Sequence, residues 1–363
     1  MKISFRTDSS LVIGSGHVMR CLTLANSLRA GGADCRFICR DYDGDLIDKI
    51  QNEGFTVSLL PKSINVPRHN ETTEYTGWLG VDLQTDARQT ISCIKLFQPD
   101  WLIVDHYSLD VCWEQMVRPF CRRIMVIDDL ADRSHDCDLL LDQNLDSVFK
   151  GYRQLVTTSS RLILGPEYAL LRPEFADYRE RSLQRRLRPA VRKLLISMGG
   201  MDRVGATQQI LKALKNCSLP VSIEVCVVVG YDSSDIRHIR LEADKLQRAV
   251  DVLSDVRNLA ELMTHSDLAI GAVGSTAWER CCLGLPTVAV VLANNQYKVA
   301  AALNKYGCIK LIDKVSDIAG ALPLIFQSIS SSATLEELSR NSSVIVDGLG
   351  TSRVTRMLEN WQE

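Results

Sequence analysis

Short, continuous apolar runs alternate with helical stripes along this chain, and the alternation starts twice. Residues 2–5, 36–39, 56–60, 101–104 and 124–127 read as strands, with shorter apolar runs at 139–141 and 162–164. Between them, residues 17–30, 46–53 and 83–97 carry apolar residues at helical spacing; Val18, Cys21, Leu22, Ala25 and Leu28 form one stripe, stopped by Gly31-Gly32. Unbroken apolar strands linked by helices predict a parallel sheet covered on both faces. Residues 61–80, with Pro61, Pro67, Gly77 and Gly80, read as a long polar loop. The pattern restarts at 194–197 and continues with strands at 221–229, 250–253, 268–270, 287–291 and 309–312. Helices at 316–329, 335–346 and 351–361 close the chain.

The fold class read from this is α/β, with two Rossmann-like doubly wound domains facing a cleft. The expected division is 1–178 for the first domain, 179–193 for a linker, and 194–363 for the second, with the last helix a candidate to pack back on the first. The linker reading rests on Arg179, Arg181, Arg185, Arg186, Arg188, Arg192 and Lys193 in a stretch poor in apolar residues. The length of 363 residues suits two or three domains and a full core without disulfide or metal staples. A net charge of −2 gives no general attraction to nucleic acid or anionic lipid, so neither is an expected partner. No apolar run is long enough to span a bilayer, and the first residues run straight into a strand without a signal-peptide core, so a cytoplasmic location is expected. The 12 cysteines form no C-x-x-C pair and mostly sit among apolar residues, as reduced packing thiols do.

Four stretches could carry chemistry. The turn from Arg6-Thr7-Asp8 to Gly14-Ser15-Gly16-His17 lies between a strand and a helix, where free amides and the helix dipole favour an anion. It is not a complete dinucleotide fingerprint, because Met19 stands where a third small residue belongs. His17 opens the helix, where the dipole disfavours imidazolium and suits a general base; a polar helix-start residue is the alternative. The second stretch is Asp105-His106-Tyr107 with Asp128-Asp129 at neighbouring strand ends. Asp128, Asp129, His135, Asp136 and Asp138 have no recognised metal-ligand spacing; turn hydrogen bonds account for such strand ends, and no metal is expected. The third runs from Ile270 to Glu279 through Gly274-Ser275-Thr276. Thr276-x-x-Glu279 fits a capping box; alternatively the turn binds phosphate and Glu279 accepts from ribose hydroxyls. In the fourth, the amides of Asn294-Asn295-Gln296 could bind sugar groups or cap a helix.

Taken in order, Arg6-x-Asp8, Gly14-x-Gly16-His17-Val18-Met19-Arg20, Asp105-His106-Tyr107, Asp128-Asp129-Leu130, Cys137-Asp138-Leu139-Leu140-Leu141 and Tyr168 through Arg172-Pro173-Glu174-Phe175 form a set. Ser197-Met198-Gly199-Gly200-x-Asp202, Ser275-x-x-x-Glu279 and Asn295-Gln296 complete it. Together they resemble the UDP-2,4-diacetamido-2,4,6-trideoxy-β-L-altropyranose hydrolases of pseudaminic acid biosynthesis, over essentially the whole chain. The resemblance implies a glycosyltransferase B-like fold, with the nucleotide held mainly by the C-terminal domain. It implies hydrolysis of the UDP-sugar without metal or cofactor, and a monomer or weak dimer. In residue terms it implies His17 as the base, with Tyr107 and Asn295 beside the sugar and water. Glu279 falls at the ribose. Arg6, Asp8, Gly14, Ser15, Gly16, Arg172, Gly199, Gly200, Gly274, Ser275, Thr276 and Gln296 are the further substrate-binding candidates. The rivals are a UDP-sugar glycosyltransferase, a non-catalytic nucleotide-sugar-binding protein and an NAD-dependent reductase, the last disfavoured by the missing glycine.

Overall fold

The computed structural model describes residues 1–62, 75–146, 149–200, 202, 204–220, 222–230, 236–254, 256, 258–329 and 331–362. Most of the loop expected at 61–80 therefore lies outside the described residues. The chain forms two compact units: Met1–Leu170 with Thr351–Glu363, and Leu171–Gly350.

The first unit is built on seven parallel strands: β1 (Lys2–Thr7), β2 (Asp34–Arg40), β3 (Thr56–Leu60), β4 (Trp101–Asp105), β5 (Arg123–Ile127), β6 (Leu139–Asp142) and β7 (Arg161–Leu164). Their order in the sheet is β3-β2-β1-β4-β5-β6-β7. One face is covered by α1 (Gly16–Ala30), so that Ile3, Phe5, Phe37 and Ile103 pack on Val18, Leu22, Leu24 and Leu28. The other face, with Leu102, Val104, Ile124 and Leu140, holds Trp113 and Tyr152. Trp113 comes from α4 (Val111–Val117), which follows α2 (Ile47–Asn52) and α3 (Leu83–Ile94); Tyr152 comes from α5 (Phe149–Arg153). β4 is buried along its whole length, which is why its sequence does not alternate. The sheet order reverses between β1 and β4, where Thr7 pairs with Asp105. Such a switch point opens a crevice at the carboxyl ends of the strands.

The second unit begins with α6 (Pro173–Arg186). Its sheet contains β8 (Lys193–Ser197), β9 (Glu224–Val229), β10 (Val250–Ser254), β11 (Leu268–Ala272), β12 (Thr287–Val290) and β13 (Lys310–Ile312), in the order β10-β9-β8-β11-β12-β13 and again parallel throughout. α7 (Ala206–Leu214), α8 (Ile236–Ala243), α9 (Leu259–His265), α10 (Ser275–Cys282), α11 (Tyr297–Lys305), α12 (Ile318–Ser328) and α13 (Ser332–Ser343) flank it. Leu194, Ile196, Val227, Ile270 and Val288 meet Ile210, Leu214, Leu322 and Phe326 in its core. Here the order reverses between β8 and β11, with Ser197 beside Gly271. α14 (Gly350–Glu359) returns to the first unit, where Val354 and Leu358 are buried in the core and Trp361 meets Trp101 edge to face at 5.0 Å.

The expected boundary and linker need correction. The division falls after Leu170, not at 178, and the arginine-rich stretch is mostly a packed helix. Arg179 donates to the carbonyls of Cys282, Val346 (3.0 Å) and Ser343 (2.7 Å), and Arg186 to those of Ser266 (2.6 Å) and Met263 (3.1 Å). These carbonyls lie at or just beyond the carboxyl ends of α9, α10 and α13, where cations are favoured. Arg185 pairs with Asp267 at 2.6 Å, and Asp267 accepts from the amides of Arg192 and Lys193, fixing the approach to β8. Arg179 and Arg186 thus satisfy helix ends, whereas Arg181, Arg188 and Arg192 are exposed.

Candidate active site

In the first unit, the turn after β1 is drawn together by Ser10, whose hydroxyl accepts from the amides of Val12 and Ile13. Gly14 then takes φ +84°, a left-handed conformation suited to glycine. Ser15 caps α1 without a side-chain bond, so the first turn keeps its amides uncapped. His17 follows at once, buried and pointing at β4. Its Nδ1 lies 2.6 Å from Asp105 Oδ1. A carboxylate can only accept, so Nδ1 carries the proton and Nε2 is the basic nitrogen of the neutral ring. Nε2 has no hydrogen bond to a described residue.

Asp105 is held in turn. Arg20 grips it through Nε (2.6 Å) and Nη2 (2.7 Å), and reaches Asp129 through Nη1 at 2.6 Å. Tyr107 donates to the same Asp129 oxygen at 2.8 Å. Burial acts to raise the Asp105 pKa, but the charge of Arg20 and the hydrogen bonds from Arg20 and His17 outweigh it and hold the carboxyl well below the usual range. Burial and then Asp129 push the Tyr107 phenol well above its ordinary value. Tyr107 is thus a committed donor whose ring stands edge-on to His17 at 4.6 Å.

Arg6 and Asp8, expected as substrate contacts, are fully buried. Arg6 pairs with Asp8 (2.6 Å) and Asp86 (2.7 Å); Arg40 pairs with Asp86 (2.6 Å) and gives its own amide to Asp8 (2.7 Å). Trp113 Nε1 donates to Asp86 at 3.0 Å. In this structure both are thus engaged with Asp86 and Arg40 at the strand ends. The aspartates weighed for metal have similar tasks. Asp128 pairs with Arg133 at 2.8 Å and accepts from Tyr152 at 3.0 Å; Asp136 and Asp138 flank Arg118; His135 Nδ1 sits 2.7 Å from Glu114.

In the second unit, Gly199 follows β8 with φ +86°, and a Cβ there would meet nothing within 4 Å. Gly200 approaches Gly230 so closely that a Cβ on Gly230 would lie 1.9 Å from the Gly200 carbonyl oxygen. Asp202 accepts from the amides of Ala206 (2.9 Å) and Thr207 (2.6 Å) and so caps α7. Gly274 precedes α10 in an extended conformation, makes no side-chain cap and also has open space where a Cβ would stand.

The capping-box reading of Thr276 and Glu279 fails here. Both lie within α10, and Thr276 accepts from Arg280 at 3.2 Å. Arg280 also donates to the Ala272 carbonyl at 2.6 Å, and burial lowers its pKa to about 10. Glu279 is nearly buried. Its Oε1 is 3.7 Å from Arg172 Nη2, while its buried Oε2 has no partner. Desolvation raises its pKa despite Arg172 and Arg280. Arg172 is shared with Glu174 at 3.0 Å. Gln296 accepts from the Leu292 amide at 2.9 Å and stitches the turn before α11, leaving Asn295 exposed beside it.

The sequence placed Asp105 and Asp129 in a candidate stretch without a role for either, and did not assign Arg20 or Trp78 to the site. Arg20 was legible: it lies three residues after His17, on the same helix face. Asp105 and Asp129 stood out as strand ends but lacked partners. Trp78 had no signal within a polar stretch.

No protein-family model matches the chain. Among curated proteins, UDP-2,4-diacetamido-2,4,6-trideoxy-beta-L-altropyranose hydrolase of Campylobacter jejuni is 28% identical over 85% of this chain and 97% of its own length. An uncharacterised protein of Methanocaldococcus jannaschii is 26% identical over 82% of the chain, which spans 56% of that protein. The Bacillus subtilis spore coat polysaccharide biosynthesis protein SpsG is 27% identical over 58% of the chain, which spans 62% of it. Acinetobacter baumannii MurG matches 99% of both chains with a TM-score of 0.72 at 13% identity. The UDP-bound Staphylococcus aureus MnaA gives 0.65 at 10%, over 99% of this chain and 96% of its own. The thymidine diphosphate complex of the spinosyn rhamnosyltransferase SpnG gives 0.62 at 14%, over 99% and 100%. Among the described residues, no single helix is long and apolar enough to cross a membrane. With two parallel-sheet α/β units in a glycosyltransferase B-like fold, the chain resembles the UDP-2,4-diacetamido-2,4,6-trideoxy-β-L-altropyranose hydrolases over 85% of its length.

Proposed function

We propose that the protein hydrolyses a UDP-linked 2,4-diacetamido-2,4,6-trideoxy sugar, as the name of the Campylobacter relative states for that protein. The observation that carries this reading is the His17–Asp105 contact at the switch point of the first sheet. Asp105 fixes the tautomer and Arg20 keeps Asp105 ionised, so Nε2 can take a proton from water. The oxygen of that water forms a bond to the anomeric carbon as the bond from that carbon to the UDP oxygen breaks. UDP leaves with the electron pair. The departing diphosphate is a good leaving group, so the chemistry asks for a base and stabilisation of negative charge, not a strong acid. Attack opposite UDP inverts the anomeric centre.

In this reading the second unit holds the nucleotide. The uncapped amides of α10, with Ser275 and Thr276, bind phosphate, and Oε2 of Glu279 accepts from ribose hydroxyls. Gly14, Ser15 and Gly16 offer further amides in the first unit, and Asn295 is an exposed amide for an acetamido group. Glycosyl transfer is the second reading, favoured by the names of two of the structural neighbours, a rhamnosyltransferase and a glycosyltransferase. Assaying UDP release without an acceptor, with the sugar followed by NMR, separates the two. Hydrolysis predicts release and an inverted product, with His17→Ala lowering kcat by about 10²–10⁴-fold. Retention overturns direct displacement, release only with an acceptor overturns hydrolysis, and an unchanged kcat in His17→Ala overturns the base.

A further inference from the structure

We propose that Trp78, with Tyr75 and Tyr107, forms an aromatic wall that reads the apolar edge of the sugar beside His17, selecting a methyl-bearing deoxy sugar over its hydroxymethyl counterpart. The proposal rests on the hydrolase reading above. Trp78 lies on a single turn, Thr76–Leu79, closed by Gly80 at φ +68°. Two groups on different strand ends clamp that turn. Tyr42, just beyond β2, donates to the Trp78 carbonyl at 2.9 Å, and Ser108, just beyond β4, donates to the Tyr75 carbonyl at 2.5 Å. The turn is thereby fixed over the carboxyl ends of β2 and β4.

The indole is stacked on Tyr107 at 5.5 Å with an interplanar angle of 25°, and Tyr75 meets both rings edge-on at 4.9 and 5.1 Å. The His17 ring stands edge-on to Trp78 at 6.2 Å. Tyr107 is buried, whereas Trp78 and Tyr75 are only half-buried. Partly exposed aromatic residues therefore stand beside a base embedded in a network of charges. A reaction on water needs the charges; it does not need the rings. A sugar with a methyl in place of its hydroxymethyl group and acetamido groups in place of two hydroxyls has an apolar edge that such rings bury favourably.

The test measures UDP release by the wild-type protein, Trp78→Ala and Trp78→Phe. Two substrates are compared: the UDP-linked 2,4-diacetamido-2,4,6-trideoxy sugar and its counterpart with a hydroxyl group on C6. Inhibition by UDP alone is measured in parallel. The wild type is expected to prefer the methyl sugar in kcat/KM by about 10–100-fold. Trp78→Ala should reduce that preference to about threefold or less, chiefly by raising KM for the methyl sugar, and Trp78→Phe should keep most of it. UDP inhibition should be the same in all three. The turn is clamped through backbone carbonyls, so truncating the side chain leaves its anchors in place. Trp78→Ala with an undiminished preference overturns the wall alone, as does an equal loss of kcat on both sugars, which would make Trp78 a shield for the base. A wild type without preference also overturns it. No UDP release from either sugar by the wild type overturns the hydrolase reading and the wall with it.

Discussion

The two sheets reverse direction in the same way, yet their switch points are furnished in opposite styles. At the ends of β1 and β4, charge is answered by charge: His17, Arg20, Asp105, Asp129 and Tyr107 close one network, and Arg6, Arg40, Asp8 and Asp86 another below it. At the ends of β8 and β11, Gly199 and Gly274 leave open space, α10 starts without a cap, and Glu279 keeps a buried oxygen without a partner. A preorganised set of charges suits a proton transfer, because nothing has to reorient as charge develops. Unsatisfied donors and a bare carboxylate oxygen suit a ligand that brings the missing partners. The same topology thus supports a site dominated by ion pairs in one unit, where Asp129 Oδ1 and Arg40 Nε are nonetheless buried without a hydrogen-bond partner among the described residues, and an open, glycine-lined turn in the other.

Asp105→Asn should break the ion-paired site most severely. An asparagine amide can donate to Nδ1 and so favours the tautomer with the proton on Nε2, where the base must be free. We expect kcat to fall by about 10²–10⁴-fold with KM little changed, measured as UDP release. Thermal denaturation of the same variant shows whether the fold survives. A folded Asp105→Asn enzyme with full kcat would mean that the network around His17 is structural only.

Removing Arg20 tests the same network through pH. The Asp105 carboxyl is held below its unfolded value: burial acts to raise it, and the charge of Arg20 with the hydrogen bonds from Arg20 and His17 outweighs burial. A depressed carboxyl stabilises the fold above the unfolded pKa of about 4, and that contribution is lost as pH falls through the folded value. In Arg20→Gln the carboxyl keeps its burial and loses its main counter-charge. Its folded pKa then rises, and the cost at neutral pH is about 3–5 kcal/mol. The acid-unfolding midpoint, followed by circular dichroism, should move to higher pH than in the wild type. An unmoved midpoint would show that Arg20 contributes little to the state of Asp105.

On the open side, Glu279→Gln should have smaller effects of opposite sign on stability and binding. Desolvation raises the Glu279 pKa, so its contribution to stability is largest at low pH and falls as pH rises through the folded value. A neutral amide escapes that penalty, and the melting temperature at pH 7 should rise. Affinity for UDP should fall by about 10–100-fold, because hydrogen bonds to a charged acceptor are replaced by weaker ones. Calorimetric titration with UDP checks the second outcome. A variant that binds UDP as well as the wild type would remove Glu279 from the nucleotide site.

The sequence made the sheets legible because their strands are apolar on both faces and their helices periodic. The structural β3 matches the expected 56–60, and α1 begins one residue before the expected 17. The site was legible where a residue type is unusual for its place, as His17 is at a helix start. It was not legible where function depends on pairing across the sheet. Asp105 and Arg20 are 85 residues apart, and Arg6 reaches Asp86 across 80. Nothing local in Arg6-Thr7-Asp8 distinguishes a ligand contact from a buried brace. Charge density misled at residues 179–193, because spacing alone does not reveal whether an arginine meets water or a helix end.

That last ambiguity gives the mildest test of the comparison. In the second unit, arginines serve the carbonyl ends of helices while the amide end of α10 stays open. If this division is real, Arg179 should matter to the fold and Arg181 should not. Arg179 donates to three carbonyls near the ends of α10 and α13, whereas Arg181 is exposed and meets the half-buried His265 ring at 3.0 Å. Arg179→Ala should cost about 1–2 kcal/mol, from carbonyls left without a donor and a lost favourable charge near two helix ends. Arg181→Ala should stay within about 0.5 kcal/mol of the wild type, as exposed substitutions do. Urea unfolding at neutral pH resolves that difference. Neither change touches the amide end of α10, so UDP affinity should be the same in both variants. Equal stabilities would return residues 179–193 to the status of a solvated linker, whereas a loss of UDP affinity in Arg179→Ala would show that the two ends of α10 are coupled.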